Sequence, residues 1–158
     1  IAVAVIFSIF HAVKGRSPEK TVDQLVTSLF KLDADGIIDT FPKEAVNKLK
    51  EEGNWDDEYD DLVSGIESLA QSVGDYVDLE KMCSYKITET KDATKDEIAE
   101  IQEDYDDEGI DVKIKDAKII TVELTINIPI YGSETDSEDI VVIKIGNSWY
   151  IDPMNFSL

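Results

Sequence analysis

Residues 140–153 read IVVIKIGNSWYIDP. Two runs of β-forming residues flank Gly146-Asn147, a pair that suits a two-residue hairpin turn because both residues tolerate positive φ. In the return strand Trp149 and Ile151 share one face, and Tyr150 and Asp152 share the other. The stretch therefore predicts a terminal antiparallel hairpin in which Trp149 buries a large aromatic surface against neighbouring helices.

Upstream lies KIITVELTINIPIY, residues 118–131. Ile120, Val122, Leu124, Ile126, Ile128 and Ile130 fall on one face, and Thr121, Glu123, Thr125 and Asn127 on the other. Strict alternation over this length predicts a long strand with one wet side. The preceding KDAK, residues 115–118, is a candidate bulge. YGSETDSED, residues 131–139, is polar and reads as a hairpin loop. CSYKITET, residues 83–90, alternates and predicts a further strand.

Helices are expected between and before these strands. Thr94 and Glu97 match a capping box that opens a helix with Ile98, Ile101 and Tyr105 on a narrow apolar face, and Gly109 stops it. Ser17, Pro18 and Glu19 fit the cap, first position and first turn of a helix carrying Val22, Leu25, Val26, Leu29 and Leu32. DADG, residues 33–36, breaks it. A short helix follows from Pro42 to Gly53. Asn54 is a candidate cap for a longer one with Trp55, Tyr59, Leu62, Val63, Ile66, Leu69, Ala70 and Val73 on one face. Helices first and strands later predict an α+β domain, with three or four N-terminal helices packed on one face of a curved antiparallel sheet of four to six strands.

Composition narrows function. The chain has 158 residues, which suits one domain, and residues 17–158 are assigned to it. Thirty-five acids against 15 Lys and Arg give a net charge of −20. Such a surface repels phosphate backbones and anionic headgroups, so no nucleic-acid partner is expected. Cys83 is the only cysteine and His11 the only histidine. An intramolecular disulfide and a cysteine metal cluster are therefore impossible, and no Cys-His or Ser-His pair is expected.

IAVAVIFSIFHAV, residues 1–13, is nearly all apolar. It is shorter than the roughly 20 residues of a membrane span. Residues 1–16 are read as the remnant of a membrane anchor or signal segment, the competing reading being a buried core element. The expected location is the extracytoplasmic face of the cell membrane.

Two further features tempt a metal assignment. With Gly36 at position 6 of an EF-hand loop, Asp33 and Asp35 fall at positions 3 and 5. Lys31 and Pro42 then occupy positions 1 and 12, where acids are required. WDDEYDD and EDYDDE are acid-rich, but Asp56, Asp57 and Glu58 sit in a helix first turn, where the dipole favours them. Phosphate loops, HExxH and serine nucleophile elbows are absent, so no metal and no cofactor are expected.

Leu29, Phe30, Asp35, Gly36, Phe41 and Pro42 early in the chain, with Val142, Lys144, Gly146, Trp149, Tyr150 and Ile151 late, carry a family resemblance. Across Ser17–Phe156 the chain resembles the nuclear-transport-factor-2-like cone fold, in its small extracytoplasmic form from Gram-positive bacteria. The resemblance implies an N-terminal anchor, an opening helix and a closing strand pair. Enzymatic branches of that family use an Asp base with Tyr or Asp donors inside the cone, and no residue here maps onto those roles.

The expected function is a non-catalytic binding or interaction domain whose partner is a small apolar ligand, a peptide or an envelope protein. Tyr85, Trp149 and Tyr150 are the candidate ligand-binding residues. The alternative is an isomerase or hydratase working by proton transfer, with Tyr85, Tyr150 and Asp152 as participants. That chemistry needs a carboxylate or tyrosine held in an apolar pocket, where burial tunes its pKa.

Overall fold

The computed structural model describes residues 15–53, 55–73, 78–128 and 130–156. The domain is α+β. Five helices precede the first strand among the described residues: α1 (Pro18–Lys31), α2 (Ala34–Ile38), α3 (Lys43–Glu51), α4 (Trp55–Val73) and α5 (Leu79–Met82). Then come β1 (Cys83–Asp92), α6 (Lys95–Asp107), β2 (Ile114–Ile128), β3 (Gly132–Ile145), β4 (Ser148–Ile151) and a 3₁₀ turn, Pro153–Asn155. The strands form one antiparallel sheet in the order β1-β2-β3-β4.

The count of three or four helices is corrected by DADG, which both ends one helix and starts another. Leu32 closes α1 in the left-handed region, φ 56, and Asp33 caps α2 by accepting from Gly36 N at 3.0 Å. No glycine marks that helix end; Leu32 packs on the core, and that burial offsets its backbone cost. A methyl at Gly36 would overlap the Ser28 hydroxyl and the Asp33 carboxylate, so the turn fits only glycine closely.

Other local signals act as read. Ser17 Oγ accepts from Lys20 N at 3.2 Å, and Thr94 and Glu97 complete their capping box. The bulge near KDAK falls between Ile114 and Asp116, and a second interrupts β1 between Ile87 and Glu89. In the β3–β4 turn Gly146 takes positive φ, 61, while Asn147 does not. The proposed Asn54 cap lies outside the described residues, as do the side chains of Trp55, Ile66, Leu69, Ala70 and Val73.

The segment 131–139 is corrected most. It is not a loop: β3 begins at Gly132 and pairs with β2 along its whole length, Ile128 with Gly132 and Thr121 with Asp139. Pairing with a strongly β-forming neighbour overrides its turn-like composition.

Two apolar clusters flank the sheet. Val22, Leu25 and Val26 of α1 and Ile37 of α2 join Ile120, Val122, Val142, Trp149 and Ile151. Ala45 of α3 with Ile101 and Tyr105 of α6 joins Ile110, Ile114, Ala117 and Ile143. Val142 and Ile143 are neighbours in β3 and so point to opposite faces. The expectation of helices on one face is thereby corrected: α6 covers the face opposite α1, because its Ile101–Tyr105 stripe needs apolar strand residues to rest on.

The outer edge of β4 is closed by Arg16 and Thr21 at the start of α1 and by Thr40. Trp149 N donates to Arg16 O at 3.3 Å, Ile151 N donates to Thr40 O at 2.9 Å, and Thr21 Oγ1 donates to Trp149 O at 3.0 Å. Gly15 lies so near the Asn147 carbonyl that a side chain there would overlap it.

Candidate functional site

Three of the residues singled out from sequence are distributed over separate surroundings. Tyr85 in β1 stands edge-on to Phe30, ring centroids 6.0 Å apart, and its hydroxyl donates to Asp23 Oδ1 at 2.9 Å. Burial, then the Asp23 carboxylate, pushes its pKa up. Trp149 is only 7 % exposed and belongs to the α1 cluster, with the Lys118 and Lys144 amines each 5.7 Å from its ring. Tyr150 points to the opposite face, where the Arg16 guanidinium lies 5.2 Å from its ring centre. Arg16 is steadied there by donating to Gln24 Oε1 at 2.8 Å.

Among the described residues Asp152 is the one buried acid, 0 % exposed. Its Oδ1 accepts from the Tyr105 hydroxyl at 3.2 Å and from Met154 N at 3.1 Å, and its Oδ2 accepts from Asn155 Nδ2 at 2.7 Å. Desolvation raises its pKa above the ordinary 3.8, against the opposing pull of those hydrogen bonds. Burial, then the neighbouring carboxylate, pushes the Tyr105 phenol far up. Tyr105 was legible only as one apolar position of α6. The Asp-Pro pair starting a 3₁₀ turn signals a cap at Asp152, and nothing local signals its partner 47 residues earlier.

Two hollows accompany these groups. One, of about 430 Å³, lies between α1 and the sheet and is lined by Leu25, Leu29, Phe30, Val122, Leu124 and Glu138 among others. Asp152 borders it, yet no part of that residue is accessible. The second is larger, about 630 Å³, and opens between α3, α4 and the C-terminal turn. Its lining includes the apolar Phe41, Val46, Leu49, Leu62, Ile110 and Phe156 and the polar Lys48, Glu52, Tyr59, Asp61 and Glu108. The Lys48 amine is held by Glu52 at 3.1 Å. Phe41 and Phe156 pack together across it, ring centroids 5.7 Å apart. None of Tyr85, Trp149 and Tyr150 lines this groove. Sequence reasoning missed it because its wall is gathered from residues 38 to 156, each ordinary in its own helix or turn.

Among the described residues no group of three or more His, Cys, Asp or Glu side chains is arranged to hold a metal ion. Nor is any described helix long and apolar enough to cross a membrane; the apolar run 1–13 lies outside the described residues. Searches against protein-family models, curated proteins and solved structures find no match to this chain.

Proposed function

We propose that this chain is a non-catalytic binding domain of cone-like build, tethered through residues 1–16 to the extracytoplasmic face of a membrane, and that its ligand is a small apolar molecule. The groove between α3, α4 and the C-terminal turn carries this reading. Its volume, about 630 Å³, falls in the usual range for small-molecule sites, and a mostly apolar lining with a few polar groups is the usual composition of such sites. The bulges in β1 and β2 support a bent sheet.

The test uses N-phenyl-1-naphthylamine, a neutral fluorophore that brightens in apolar surroundings. Saturable binding by the wild type, weakened at least tenfold by Leu49→Glu, is the expected result. Absence of saturable binding, or equal binding by the variant, would sink the reading. Protease shaving of whole cells tests the location, and a shaving-resistant soluble pool counts against it.

A second reading, proton-transfer catalysis by an isomerase or hydratase, is favoured by one observation: a buried carboxylate within hydrogen-bond reach of a tyrosine. It ranks second because both groups are already occupied. The Tyr105 proton is committed to Asp152, three donors converge on the carboxylate, and neither side chain is exposed to a substrate. Their arrangement is that of a clasp on the C-terminal turn.

A further inference from the structure

Among the described residues the outer edge of β3 is unpaired over most of its length. β4 pairs only with Val142–Ile145, and Asp152 N donates to Val141 O just beyond. Between Gly132 and Ile140 no other strand pairs with that edge among the described residues. Backbone groups alternate along an antiparallel strand. Since Val141 turns its carbonyl outward, Ser133, Thr135, Ser137 and Asp139 do the same. Ser137 N agrees: it is capped by the Asp136 side chain, Oδ1 at 2.8 Å, and not by a strand.

The side chains on this edge are patterned. Glu134, Asp136 and Glu138 are paired with Ile126, Leu124 and Val122, so three acids stand on the face shared by the apolar residues of β2. None of the three makes an ion pair among the described residues. The next residue on that face is Ile140, at the wall of the 430 Å³ hollow with Leu29 and Phe30. A second copy of this chain would set acids against acids, which is how natural sheets guard an edge from self-pairing.

We infer that the β3 edge from Ser133 to Asp139 is a docking site for an extended segment of another protein bearing Lys or Arg at three alternate positions and an apolar residue two positions beyond the one that meets Glu138. Main-chain bonds to Ser133, Thr135, Ser137 and Asp139 supply affinity in the manner of strand addition. The basic side chains meet Glu134, Asp136 and Glu138, and the apolar one enters the hollow beside Ile140. The Asp136 carboxylate exchanges its bond to Ser137 N for the incoming cation. This site is separate from the groove between α3 and α4 and does not rest on it.

The test is amide hydrogen exchange and fluorescence anisotropy with a labelled peptide, Lys-Thr-Lys-Thr-Lys-Thr-Leu, beside its reversed sequence and a scrambled peptide of the same composition. The expected result is slowed exchange at Ser133, Thr135, Ser137 and Asp139 with one of the two ordered peptides, and binding at least tenfold weaker for the scrambled one. Thr135→Pro and Ser137→Pro remove outward N–H groups and are expected to weaken binding at least tenfold. Naphthylamine binding and circular dichroism report whether they still fold. The triple variant E134Q/D136N/E138Q, altered only at exposed side chains, is expected to lose at least tenfold as well. Equal affinity for the scrambled peptide, protection away from β3, or undiminished binding to the triple variant would overturn the proposal.

Discussion

The Tyr105 hydroxyl donates to Asp152 Oδ1 across 3.2 Å and so joins α6 to the turn that follows the last strand. Both residues are fully buried, and the bond ties a helix to the residue that caps the 3₁₀ turn. Tyr105→Phe keeps the packing and removes one of three donors. It is expected to cost about 1–2 kcal/mol in urea unfolding. Asp152→Ala strands the tyrosine hydroxyl, the Met154 amide and the Asn155 amide, and is expected to cost about 3 kcal/mol or more.

Asp152 also gives the fold a pH signature. Its folded pKa is raised, so well below the ordinary 3.8 it is protonated in both states and contributes nothing to the slope. As pH rises from there towards the raised value, the folded state holds the extra proton and stability falls. Above the raised value the cost of burying the charge is present in full. The stability of the wild type minus that of Asp152→Asn is therefore expected to decline across this window and then level off. A difference that is flat or rises from pH 3.8 upward would show that the carboxylate is not strained by burial. Taking the difference cancels the repulsion among the other acids of this highly negative chain.

Trp149→Ala is expected to destabilise the domain by about 3–5 kcal/mol in chemical denaturation, because it empties a core position between α1 and the sheet. Trp149 itself does not line the apolar groove. Naphthylamine affinity at a temperature where the variant stays folded is expected to change less than threefold.

Gly36→Ala is expected to cost about 1–3 kcal/mol, since the added methyl meets Ser28 Oγ and the Asp33 carboxylate. Ser28→Ala in the same chain makes room on one side. The double variant is expected to be more stable than the sum of the two single losses, a coupling that thermal melts of all four proteins would measure. Strict additivity would show that the turn relaxes some other way.

How much of this was legible follows the range of the interactions. Ser17, Pro18, Thr94, Glu97 and Gly146 act within a few residues of themselves, and their chemistry could be read directly. The alternation from Ile120 to Ile126 showed the apolar face of β2. GSETDSED could not be read as a strand, because nothing local makes it one; it is extended only by pairing with β2. The period of α6 was visible, but a period does not say which side of a sheet a helix will cover. Asp152 was noted for its place on the strand, whereas its burial depends on Tyr105. The groove is a property of packing between α3, α4 and residues 153–156, so no single stretch announces it.

The closure of the β4 edge has a consequence for how this protein is made. Thr21 and Trp149 lie 128 positions apart, yet the hydroxyl of one completes the backbone bonding of the other. Arg16 and Thr40 wait in the same way for Trp149 and Ile151. On the ribosome α1 emerges before the strands, and the cluster around its apolar stripe is not complete until Trp149 and Ile151 follow. Contacts of such separation close slowly, since loop entropy is lost before they form. Emergence of Trp149 and Ile151 from the ribosome is the event that lets the β4 edge close. Interruption of translation shortly before Trp149 leaves a chain with most of its helices and no way to shut its own edge.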